Sequence, residues 1–171
     1  MKTLVERIVP DAPPAVEAVR AHRAWLISEL KAIRDPQARF QWAVERARTR
    51  PALADELRAD AHRVPGCQVR LWWVQAEVGG RRWFASDSDA VTLKALTGLL
   101  AEAYHGETIE GLIADPPVFL EPLGLLRQLA ESRRATVLRV VAAMVDGSME
   151  RGGMERGGDV PVAFPKPASD R

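Results

Sequence analysis

Residues 64–86 read VPGCQVRLWWVQAEVGGRRWFAS, and the fold turns on this stretch. From Gln68 to Val78, Val69, Leu71 and Trp73 alternate with Arg70, Trp72 and Val74, the pattern of a strand that is apolar on both faces. Neighbouring Trp72 and Trp73 then point to opposite sides of the sheet. Gly79-Gly80 supplies the positive φ angles of a tight hairpin, and Arg81 to Ser86 runs back as the second strand. Upstream, proline fixes one φ angle and glycine tolerates a bend, so Pro65-Gly66 sets a narrow turn. Cys67 follows it directly, at the point where loop becomes strand.

Helical patterns flank the hairpin. After it, Asp87-Ser88-Asp89 offers side-chain acceptors for a helix start, with Val91, Leu93, Leu96, Leu99, Leu100 and Ala103 as apolar face and Gly106 as stop. Thr108 to Ala114 reads as a short helix, and Phe119 to Leu129 as an apolar segment that is helical in part. Ser132 is placed to cap a last helix, whose Val137, Val141, Met144 and Val145 form one stripe closed by Gly147. Before the hairpin, a helix is expected over 14–33. A second starts from Asp35 as cap with Pro36 in first position, buries Phe40, Ala43, Val44 and Ala47, and ends at Pro51. Leu53 and Leu57 suggest one further helical turn. The expected organisation is an N-terminal extension over 1–13, one domain over 14–147 and a tail over 148–171. That tail begins with MERGG written twice and lacks the apolar surface to offset its ordering entropy, so it reads as disordered.

The bulk properties exclude several classes. No apolar run approaches the length of about twenty residues that a membrane span needs. A net charge of +1 gives no general attraction to nucleic acid, and two Arg-Gly repeats balanced by glutamates are a weak signal for it. The N-terminus lacks a secretory apolar stretch, so a cytoplasmic location is expected. The single cysteine, Cys67, cannot close an internal disulfide or build a site of several thiolates. A lone cysteine commonly packs as a small hydrophobe, but one beside Pro-Gly leaves room for another protein's backbone to approach its sulfur. The residues alone leave both roles open. Asp87 and Asp89 read as helix caps rather than partners of the cysteine loop. Arg46 to Arg50 reads as a solvated basic cluster near a helix end, and His62 as a surface histidine.

Val64-Pro65-Gly66-Cys67-Gln68, followed by Leu71-Trp72, resembles the signature of the SufE family of sulfur acceptors. Asp87-Ser88-Asp89-Ala90 with Lys94-Ala95-Leu96 resembles a second element of that family. Leu123-Gly124-Leu125 followed by Leu129 and Ser132-Arg133 resembles a third, so the likeness runs from about Leu26 to Val145. The chain departs from the pattern at Val69, Ala95, Gln128 and Arg134-Ala135-Thr136.

The resemblance implies an α+β fold, SufE/IscU-like, with a small curled antiparallel sheet of about three strands and helices packed against it. It implies a sulfur acceptor and activator of a pyridoxal-phosphate cysteine desulfurase of the SufS or CsdA type. Cys67 would carry sulfur as a persulfide toward a downstream iron–sulfur scaffold complex, with no cofactor or metal of the chain's own. The chain itself would not be an enzyme. Arg133 is a candidate for steadying the thiolate or its loop. The rival reading is a one-cysteine thiol peroxidase or redox sensor, which also works through a thiolate.

Overall fold

Gly79 and Gly80 adopt φ angles of +61° and +73°, the left-handed pair that a two-residue hairpin turn requires. They join β1 (Leu71–Val78) to β2 (Arg81–Ser88) in antiparallel register, from Leu71 opposite Ser88 to Val78 opposite Arg81. A third strand, β3 (Glu107–Thr108), pairs antiparallel with Arg82 and Arg81, giving the sheet order β1-β2-β3. This computed structural model describes residues 2–148, so the MERGG repeats lie outside the described residues. The expected α+β architecture is the one observed, with α1 (Leu4–Ile8), α2 (Val16–Ala32), α3 (Pro36–Thr49), α4 (Val91–Tyr104), α5 (Ile109–Ala114) and α6 (Glu131–Asp146) around the sheet. No helix among the described residues is long and apolar enough to cross a membrane.

Both sheet faces are covered, as the two-sided apolar strand requires. On the inner face Leu71, Trp73 and Phe84 join Leu26 and Leu30 of α2, Leu93, Leu96 and Leu100 of α4, and Val137, Val140 and Met144 of α6 in one core. Burying each such side chain contributes about 1.5–3 kcal/mol. On the outer face Val74 and Trp83 meet Leu57 and Ile8, the last residue of α1. That short helix starts with a capping box, in which Thr3 and Glu6 satisfy each other's backbone N–H groups.

Buried ion pairs fasten the helices to the sheet. The Glu107 carboxylate, fully buried at the start of β3, accepts from Arg20 at 3.0 Å and from Arg23 at 3.0 Å, tying α2 to the sheet edge. Burial alone would raise its pKa. The arginines and the Thr108 N–H outweigh that and hold it at about 2. At the other end, Gln75 donates to the Ala143 carbonyl at 3.1 Å and Arg82 to the Met144 carbonyl at 2.9 Å. These two side chains satisfy the last carbonyls of α6, and Gly147 closes it in the left-handed region at φ +81°.

Several expected boundaries shift. β1 begins at Leu71, so residues 68–70 belong to the loop, and β2 runs on to Ser88 because Asp87 and Ser88 still pair with Trp72 and Leu71. The cap of α4 is therefore Ala90, with no side-chain hydrogen bond from Asp87 or Asp89. Helix α6 starts at Glu131, one residue before Ser132, whose carbonyl accepts from Thr136 instead of its hydroxyl capping the helix. The basic run is not a solvated cluster, since Arg46 and Arg50 both pair with Glu102 of α4.

Candidate functional site

The Val64 N–H donates to the Leu71 carbonyl at 2.8 Å, and Arg63 bridges Trp72, so residues 65–70 form a loop closed at its base like a hairpin. Gly66 sits in this loop at φ +75°, a conformation that side-chain-bearing residues resist. Cys67 follows as a free thiol, partly buried and packed against the main core, while Pro65, Gly66 and Gln68 on either side are exposed. The sulfur thus rests in a shielded position on a loop whose neighbouring residues face solvent.

Three groups from outside the loop hold its frame. Ser88 donates its hydroxyl to the Arg70 carbonyl at 2.7 Å, and the Asp89 N–H donates to the same oxygen at 3.1 Å. The Asp89 carboxylate in turn accepts from the Arg70 guanidinium at 2.6 Å. Behind them Asp87, nearly fully buried, accepts the Leu53 N–H at 3.0 Å and lies 3.6 Å from both Arg58 and Lys94. Of these aspartates, both read from sequence as helix caps, Asp89 holds Arg70 at the base of the cysteine loop, while Asp87 ties β2 to Leu53, Arg58 and Lys94. The two extra residues of β2, Asp87 and Ser88, extend the strand to the loop and leave Asp89 beside Arg70.

From the opposite side, Arg139 of α6 donates to the Pro65 carbonyl at 2.7 Å and to the Thr136 hydroxyl at 3.2 Å. A side chain on Gly66 would place its Cβ 2.8 Å from an Arg139 nitrogen, so glycine makes room for the guanidinium as well as for the bend. Arg133, the arginine singled out from sequence, donates to Thr92 at the start of α4 at 3.1 Å. It makes no hydrogen bond to a loop carbonyl or to the thiol. Arg139 was not legible as a loop partner, because it lies 74 residues away in sequence within an unremarkable helical stripe. The only clue was the departure at Arg134-Ala135-Thr136, which supplies the Thr136 hydroxyl that Arg139 uses.

Trp72 lies on the outer face beneath two guanidiniums, with Arg58 4.7 Å and Arg70 5.6 Å from its ring centre. Trp73 packs tilted on Phe84 in the main core, with ring centres 5.6 Å apart. The opposite facing expected of the two tryptophans is thus observed.

A partly buried thiol on a braced loop, beside a three-stranded sheet whose long helices pack on the inner face, defines a single-cysteine α+β protein. The chain belongs to the SufE family, since residues 24–147 match its Fe-S metabolism associated domain. It is 40% identical over 86 residues to the sulfur acceptor protein CsdE of Escherichia coli, a match covering 48% of this chain and 58% of that protein. It is 31% identical over 113 residues to a chloroplastic quinolinate synthase of rice, covering 66% of this chain and 15% of the synthase. An uncharacterised SufE-like protein of Synechocystis matches at 25% identity over 74% of this chain and 79% of its own length. The fold is shared with a hypothetical protein of Thermus thermophilus solved in solution, with TM-score 0.55 and 25% identity over 75% of this chain and 98% of that one. The match thus covers less than two thirds of CsdE and of the synthase.

Proposed function

We propose that this protein accepts sulfur on Cys67 from a pyridoxal-phosphate cysteine desulfurase and delivers it to a downstream iron–sulfur scaffold complex in the cytoplasm. The observation that carries this reading is the position of the thiol, shielded at rest on a loop braced at its base, in a chain whose family is associated with Fe–S metabolism. The relative named as a sulfur acceptor supports the same role.

The chemistry needs one thiolate and no cofactor of this chain's own. The Cys67 sulfur attacks the outer sulfur of the persulfide on the desulfurase. A new S–S bond forms to Cys67 while the donor S–S bond breaks, and its electron pair stays on the donor thiolate. Cys67 then carries the persulfide, and no external oxidant or reductant enters. A persulfide exposed to solvent is lost to small thiols, so a half-buried resting position protects the cargo. Delivery then requires residues 65–70 to move outward. Activation of the desulfurase follows from the same step, because removing the persulfide frees its thiol for another turnover.

The test mixes the protein with the cysteine desulfurase of its own source and free cysteine, then weighs the intact chain. A gain of one sulfur atom on Cys67, together with faster desulfurase turnover, is the expected result. A Cys67→Ala variant that stimulates the desulfurase as well as wild type would sink the reading.

A further inference from the structure

We infer that a cleft along the open edge of β2, between α2, α4 and the segment after α3, binds a small carboxylic acid with an apolar body. Cys67 is not among the residues that line the cleft, so the inference stands apart from the sulfur-transfer reading.

The cleft exists because β3 is short. That strand pairs only with Arg81 and Arg82, and past them no strand covers this side of β2. Helix α4 does not fill the gap, because it presents only Gly98 and Ala101 there. A hollow of about 510 Å³ remains, walled largely by apolar side chains such as Val19, Leu53 and Phe84. Small-molecule sites have this character and range over about 300–1,000 Å³.

The polar groups in the wall select the ligand's charge. Glu102 is the one carboxylate among the lining residues, and it is taken by Arg46 at 2.9 Å, Arg50 at 3.1 Å and His22 at 3.5 Å. Two guanidiniums thus answer one carboxylate. The next carboxylate along β2, Asp87, already faces Arg58 and Lys94. Arg50 is left short of counter-charge, since burial lowers its pKa more than Glu102 raises it. Its Nη1 is buried against Gly98, where any side chain would collide with it, and makes no hydrogen bond. The Ser86 hydroxyl is also buried without a partner among the described residues. Buried polar groups are nearly always bonded, so two orphans in one wall mark a place for an outside acceptor.

His105 supplies a third donor. Its Nδ1 accepts the Phe84 N–H at 3.1 Å and burial keeps the ring neutral, so the proton sits on Nε2. That N–H makes no hydrogen bond among the described residues. The unanswered side-chain groups are therefore donors beside an under-compensated cation. A carboxylate seated between Arg50 and His105 answers them, while its hydrocarbon part covers Val19, Leu53 and Phe84. An amine would be repelled by Arg50, and an alcohol would bring no charge.

The test uses octanoate as probe, with octanol and octylamine as matched neutral and cationic chains. Calorimetric titration of the full chain should give saturable octanoate binding about tenfold tighter than octanol, and no binding of octylamine. Octanoate should also shift the ring nitrogen signals of His105 in NMR spectra. Ala18→Trp fills the cleft from an exposed position on α2, and Arg50→Gln removes the cation. Each should weaken octanoate by about tenfold or more, with thermal melts to check folding. Octanol or octylamine bound as tightly as octanoate overturns the site, and so does a folded Ala18→Trp that binds octanoate like wild type. A wild-type dimer that Ala18→Trp dissociates would give the cleft to a second copy of the chain and overturn it as well.

Discussion

Arg139 donates to the Pro65 carbonyl at 2.7 Å from the space that a Gly66 side chain would need, so one guanidinium joins α6 to the cysteine loop. The contact is exposed, and Arg139 has no carboxylate among the described residues that would hold it elsewhere. Such a contact biases the loop toward its resting position. A hydrogen bond from a charged donor contributes about 1.5–3 kcal/mol. Arg139→Gln should therefore open the loop more often, by about tenfold or more. Cys67 in the native protein would then be alkylated by iodoacetamide correspondingly faster, with Arg139→Lys in between. An unchanged rate would show that the loop rests without this contact.

Gly66 and Gly79 offer a controlled comparison, since both sit at positive φ, +75° and +61°. Alanine at either position costs about 1–2 kcal/mol of backbone strain. At Gly79 the new Cβ meets nothing within 4 Å, whereas at Gly66 it displaces Arg139. Both variants should melt a few degrees lower. Sulfur uptake by intact mass should fall only in Gly66→Ala. Equal uptake in the two would mean that the loop conformation is irrelevant to transfer.

Asp87 combines a backbone acceptor role with two cations in a nearly dry site. Its removal leaves the Leu53 N–H and the Arg58 and Lys94 charges without their shared partner. Asp87→Ala should cost about 3–5 kcal/mol, the range for breaking a buried pair on one side. Asp89→Ala, at the exposed side, should cost about 1 kcal/mol or less. Urea unfolding of the two variants measures the difference, and equal midpoints would contradict the buried role.

The hairpin, its glycine turn and the main helices were legible because each repeats one period over many residues. The strand residues Leu71, Trp73 and Phe84, for example, alternate faces as the pleat requires. Strand β3 was not legible, because two residues, Glu107 and Thr108, carry no period at all. Its place is set by the Glu107 carboxylate meeting Arg20 and Arg23 from a helix far away in the chain. Asp87 and Asp89 misled for a related reason. Acceptors before an apolar stripe have the form of a cap, and only the pairing of Ser88 with Leu71 shows that Asp87 lies within the strand and Asp89 beside Arg70. The position of Cys67 after a bend was plain, but the residues that hold that bend come from β2 and α6, and a linear pattern does not show them.

Acid should unfold this protein in two stages, and the sign of each follows from a depressed pKa. Burial pushes the His105 pKa below its usual 6.5, and its Nδ1 accepts the Phe84 N–H at 3.1 Å, so the ring is neutral in the fold. The unfolded chain binds the proton first as pH drops below 6.5, so stability present above that value is lost progressively beneath it. Glu107, ordinarily near 4.5, is held at about 2, so its contribution is whole above 4.5 and is lost as pH falls from there toward 2. Melting temperature plotted against pH should show a first decline just below neutrality and a second in strong acid. His105→Gln should remove the first. Glu107→Gln should weaken the second, which Glu102 beside Arg46 and Arg50 shares, while lowering stability at neutral pH because buried Arg23 then faces an uncharged amide. A melting temperature flat from pH 7 down to 3 would contradict both assignments.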